Sequence, residues 1–75
     1  MSDILTNTTI KVRSKNTGNV YDAHLVVERP AGGYGMVWAW IRIDTEFGIF
    51  LEAYRATVGD ALDDLRAKMT NWERA

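Results

Sequence analysis

Met36-Val-Trp-Ala-Trp-Ile-Arg-Ile-Asp44 is the segment on which the reading of this chain turns. Side chains leave a strand on alternate faces. One face therefore carries Met36, Trp38, Trp40 and Arg42, and the other carries Val37, Ala39, Ile41 and Ile43. Both faces are apolar, but one is small and aliphatic while the other is aromatic. Either the fold packs this strand on two sides, or the aromatic side is kept for a partner.

Upstream, Ala31-Gly32-Gly33-Tyr34-Gly35 reverses the chain, and Pro30, which cannot donate to a ladder, closes the strand before it. That strand, residues 20–29, sets Ala23, Leu25 and Val27 against Asp22, His24, Val26 and Glu28. A turn at Asn16-Thr17-Gly18-Asn19 joins it to a strand over residues 8–14, where Ile10 and Val12 alternate with Lys11 and Arg13. A short polar segment precedes it. Downstream, residues 45–48 turn the chain into a fourth strand, 49–55, with Ile49, Leu51 and Ala53 opposite Phe50, Glu52 and Tyr54.

The period then changes from two to 3.6. Thr57 is a helix N-cap, with Asp60 placed as in a capping box. Val58, Ala61, Leu62, Leu65, Met69 and Trp72 form one apolar stripe, which predicts a helix over residues 58–72. Asp60, Asp63 and Asp64 lie near its start and Arg66 and Lys68 later, as the helix dipole favours. Asp64 and Lys68 are spaced as an i,i+4 pair, and Asp63 and Asp64 read as solvent-facing. The expected architecture is α+β: a four-stranded antiparallel meander and one C-terminal helix on one face, in a single domain of residues 1–75.

Composition bounds the function. The chain has 75 residues, 47 % of them apolar, which suits one small folded core. It has no cysteine, so disulfides and thiolate metal sites are excluded. Asn7-Thr8-Thr9 matches a glycosylation acceptor, but no export signal accompanies it. Neither is there an apolar run of the roughly 20 residues that a membrane span needs. A cytoplasmic protein is the expectation. The net charge of −1 spreads both signs along the chain, whereas a nucleic-acid binder normally concentrates basic residues on one face.

Catalytic constellations are not evident. Ser2 and Ser14 are the only serines, and neither has an identifiable base. Asp22 and His24 share a strand face and are placed to couple, although a solvated or satisfied histidine is the commoner outcome of that spacing. The carboxylates are scattered, and Gly32-Gly33-Tyr34-Gly35 lacks the spacing of phosphate-binding and dinucleotide-binding loops. No enzyme, cofactor or metal is expected.

Grouping the strand faces by character gives the working hypothesis. The aliphatic set, with Ala39 and Ala53 leaving room, suits the helix stripe. The other set mixes aromatic and charged side chains, and one helix covers only one face. Met36, Trp38, Trp40, Arg42, Phe50, Glu52, Tyr54 and His24 are the candidate partner-binding residues. The competing reading folds the N-terminal arm over Trp38, or shifts the register through a bulge at Gly35 or Gly48, and so buries the aromatic face.

The glycine hairpin Gly32-Gly33-Tyr34-Gly35 entering a strand, followed by Thr57-Val-Gly-Asp-Ala-Leu-Asp-Asp-Leu65 capping a helix, resembles the N-terminal module of HicB-type antitoxins. That resemblance implies a partial double-stranded-RNA-binding-like fold and neutralisation of a toxin by binding. In build alone the chain is similar to small host-takeover and anti-defence inhibitors of bacteriophages, which act stoichiometrically on a target. Both imply a non-catalytic protein-binding inhibitor. The alternatives are a nucleic-acid-binding sheet with the tryptophans as stacking platforms, and a homodimer joined through these faces.

Overall fold

Alternation at period two produces the strands, and the computed structural model, which describes residues 3–75, arranges them in one antiparallel sheet. The elements are β1 (Asp3–Ser14), β2 (Val20–Arg29), β3 (Val37–Ile43), β4 (Ile49–Arg55), α1 (Val58–Lys68) and β5 (Trp72–Arg74). Their spatial order is β4-β3-β2-β1-β5, so the first four strands form the expected meander. The turn after β4's partner needs Gly48, which takes φ 66° and donates to the Thr45 carbonyl at 3.1 Å. A side chain there would be forced into the left-handed region.

The aliphatic faces pack beneath α1. Val12, Ala23, Val27, Val37, Ala39, Ile41, Ile43 and Ala53 are buried with Ala61 and Leu65 of the helix. Ala39, Ala53 and Ala61 have no bulk beyond Cβ, so the helix axis comes close to β3 and β4. Thr57 caps α1, its Oγ1 accepting from the Asp60 N–H at 3.2 Å. An 11-residue helix is roughly 16 Å long, against about 19 Å across five strands. Sitting on β3 and β4, it leaves a groove of about 510 Å³ on the β1 side, whose walls include Ile10, Val12, Leu25, Leu62, Met69 and Trp72.

Three expectations need correction. The helix ends at Lys68, not residue 72, and a fifth strand follows. Met69 leaves helical geometry at φ −99°, ψ 38°, and Thr70 and Asn71 are poor helix formers. Trp72 then pairs with Ser14, and Glu73 and Arg74 with Arg13 and Val12. Trp72 is still half-buried, edge-on against Tyr21 at 5.9 Å, so its apolarity is partly satisfied from a strand. Secondly, β1 begins at Asp3 rather than residue 8, with a bulge between Ile4 and Thr6 that breaks the alternation. Thirdly, β3 covers Val37–Ile43, one residue shorter at each end than expected.

Candidate protein-binding face

Register decides which side chains meet on the side opposite the helix. Trp40 of β3 lies between Val26 of β2 and Glu52 of β4, Trp38 between Glu28 and Tyr54, and Arg42 between His24 and Phe50. Such cross-strand neighbours share a face and touch. The Trp38 and Trp40 rings are 6.0 Å apart, and Trp40 meets Phe50 at 5.5 Å with 31° between planes. Both tryptophans are half-buried by these mutual contacts, while Phe50 and Tyr54 are 49 % and 46 % exposed. The result is a continuous aromatic strip across two strands, without a covering element among the described residues.

Polar groups frame it. The Trp40 indole donates to Glu28 Oε2 at 3.4 Å. Arg42 Nε lies 3.4 Å from Asp44 Oδ1, and His24 Nε2 is 3.7 Å from the other Asp44 oxygen. Thr9 Oγ1 is 3.4 Å from His24 Nδ1. Beyond them Lys11 donates to Asp22 at 2.6 Å, and that hydrogen bond and charge hold the Asp22 carboxyl below the usual carboxylate range. Asp22 is thus paired first with Lys11, and His24 stands nearer Asp44, in line with the satisfied histidine that the spacing favoured over an Asp22–His24 couple.

A clasp fixes one end of the strip. The Tyr54 hydroxyl donates to the Gly33 carbonyl at 3.2 Å, tying the 30–36 loop to β4 beside Trp38. Gly33 is buried, and a Cβ there would stand 2.5 Å from the Tyr54 oxygen. Only glycine lets the loop lie this close. Met36 is half-buried at the mouth of this loop, just before β3, and so stands at the rim of the face.

The structure thus gathers Trp38, Trp40, Arg42, Phe50, Glu52, Tyr54 and His24 on one side, with Met36 at its margin. Sequence reasoning left out Val26, which is only 5 % exposed because Trp40 and its neighbours shelter it. Its position on the charged-and-aromatic face in the period-two pattern was the available signal. The register-shift alternative is overturned: β3 pairs with β2 and β4 without interruption, and the irregularity falls in β1.

Elsewhere, Ser14 is buried and its Oγ accepts from the Thr17 N–H at 3.3 Å, a turn-holding role; Ser2 lies outside the described residues. Asp64 does not face free solvent but meets Arg55 at 3.2 Å and Lys68 at 3.5 Å. Among the described residues, no group of three or more histidine, aspartate or glutamate side chains is placed to hold a metal ion. No protein-family model, curated protein or solved structure matches this chain.

Proposed function

We propose that this chain is a small non-catalytic protein-binding module that acts as a stoichiometric inhibitor, in the manner of an antitoxin or a phage-encoded anti-host protein, by seating its aromatic sheet face on a target. The observation that carries the reading is the Trp38–Trp40–Phe50 strip, left open while the helix packs on the opposite side. Tryptophan, tyrosine and arginine are the residues on which interface binding energy concentrates, and a polar rim is their usual frame. The frame here supplies both signs: Glu28 and Glu52 flank the tryptophans, and Arg42 lies on the next row. Those carboxylates interrupt any track for a phosphate backbone, which weighs against the nucleic-acid alternative.

The test compares capture from host lysate by wild type, Trp38→Ala/Trp40→Ala and Phe50→Ser, with circular dichroism on each. The expected result is one partner bound 1:1 by wild type, with its affinity reduced about thirtyfold or more in both variants. Undiminished capture by folded variants refutes the assignment. Salt-dependent binding of a fluorescent oligonucleotide, lost in the same variants, would replace it with the stacking-platform reading.

A further inference from the structure

The two edges of the sheet are treated differently. On the β4 edge, Lys68 Nζ donates to the Glu52 carbonyl at 2.6 Å, and the Arg55–Asp64 pair lies beside it. Charged side chains laid on edge groups are a standard defence against strand addition. On the other edge, β5 covers only Val12–Ser14, and the Ala75 N–H takes the Lys11 carbonyl. From there toward Asp3, no strand pairs with the outer side of β1 among the described residues.

That bare edge is Ile4-Leu-Thr-Asn-Thr-Thr-Ile10, with no charge, proline or glycine. Isoleucine and threonine favour extended chain. Ile4 and Leu5 are 56 % and 42 % exposed. Ser14 directs its N–H inward to Asn19, whereas Lys11 directs its carbonyl outward to Ala75. Alternation then turns the N–H and C=O of Thr9 and Asn7 outward. The bulge between Ile4 and Thr6 bends the far end and leaves Thr6–Ile10 regular.

We propose that β1 pairs antiparallel with β1 of a second copy of this chain, about a two-fold axis at Asn7. The uncharged run has seven residues and Asn7 is its centre, so this axis sets regular backbone against regular backbone over Thr6–Thr8 and brings the partner's bulged Leu5 and Ile4 opposite Thr9 and Ile10. It also stops where Ala75 occupies Lys11. Within that register the nearest charges are Asp3 and the partner's Lys11, which are opposite in sign. A foreign strand would have to supply a neutral edge of the same length; a second copy brings one, and a two-fold contact is self-complementary by construction. An axis perpendicular to the sheet keeps both aromatic faces on one side and both helices on the other. The dimer does not depend on what the aromatic face binds.

Light scattering on the full chain across the micromolar range tests this. Wild type is expected at twice the 8.5 kDa of one chain. Asn7→Lys and Asn7→Glu, which each place like charges across the axis, are expected to weaken association about tenfold or more. An equimolar mixture of the two variants is expected to recover the dimer. Amide exchange in wild type gives a readout without substitution: the Asn7 and Thr9 amides gain protection as concentration rises. A wild type that stays at one chain mass, or a dimer that survives Asn7→Lys and dissociates in Trp38→Ala, overturns the proposal.

Discussion

Gly33→Ala is a sharp test of how the aromatic face is anchored. The added Cβ would lie 2.5 Å from the Tyr54 hydroxyl oxygen and 3.0 Å from both Cγ and the carbonyl oxygen of Pro30. The Tyr54 oxygen ends a rigid ring, so relief requires the whole ring to swing and its hydrogen bond to the Gly33 carbonyl to break. Overpacking of this kind costs roughly 1–3 kcal/mol and a lost hydrogen bond about 1 kcal/mol. The expected loss in unfolding free energy is about 2–4 kcal/mol. Tyr54→Phe alone removes only the hydrogen bond of a half-exposed ring, at about 0.5–1 kcal/mol. With the hydroxyl gone, adding Gly33→Ala leaves only the Pro30 contacts and costs about 1 kcal/mol. The two substitutions therefore couple by roughly 1–3 kcal/mol, as touching residues do. Urea denaturation followed by tryptophan fluorescence on the four proteins of the cycle measures this. If Gly33→Ala costs the same in both backgrounds, within about 0.5 kcal/mol, the clasp does not exist as described.

Leu65→Ala, at a core position 2 % exposed under the helix, is expected to lower unfolding free energy by about 2–5 kcal/mol in the same denaturation assay. For acid stability, partial burial raises the Asp64 pKa, but the hydrogen bond and charge of Arg55, with those of Lys68, outweigh it and leave it below 3.8. Asp22 is lowered by Lys11. A depressed folded pKa gives stability that is complete above the unfolded value and lost as pH falls through the folded one. Unfolding free energy is thus expected to hold from neutrality to about pH 4 and to fall below it, with a shallower fall in Asp64→Asn.

The parts of the fold that were legible are those where pattern and packing demand the same thing. β3 and β4 alternate cleanly because each buries one side under α1 and leaves the other uncovered, whereas β2, beside them, buries both Val26 and Val27. Thr57 announced the helix start through a hydrogen bond that only a few side chains make. The helix end was hidden because Trp72 lies three residues after Met69, a spacing that suits a helix stripe as well as a bend. Tertiary contact with Tyr21, invisible locally, chose the strand. A three-residue strand such as β5 is too short to show a period at all. The first residues of β1 were missed for a different reason. They are exposed on both faces, so no buried side marks them, and the bulge sets Ile4 on the face opposite Ile10 and Val12 although the three share parity in the sequence. At the candidate site, the face assignment followed from parity alone. The Tyr54–Gly33 clasp did not, since it joins residues 21 apart in sequence through loop geometry.

β5 also sets an order of events within the molecule. The β2–β3 and β3–β4 ladders each join segments that are near neighbours in sequence, whereas β1 and β5 are separated by nearly the whole chain. Closing so long a loop carries the largest entropic cost in the sheet, for the shortest ladder. β5 is therefore expected to engage after the meander and helix have formed and to release before they melt. Each release uncovers the outer side of Val12–Ser14, lengthening the bare edge of β1, and frees Trp72 from Tyr21. The fluorescence of Trp72 is thus expected to report a local opening that Trp38 and Trp40, on the central strand, do not sense.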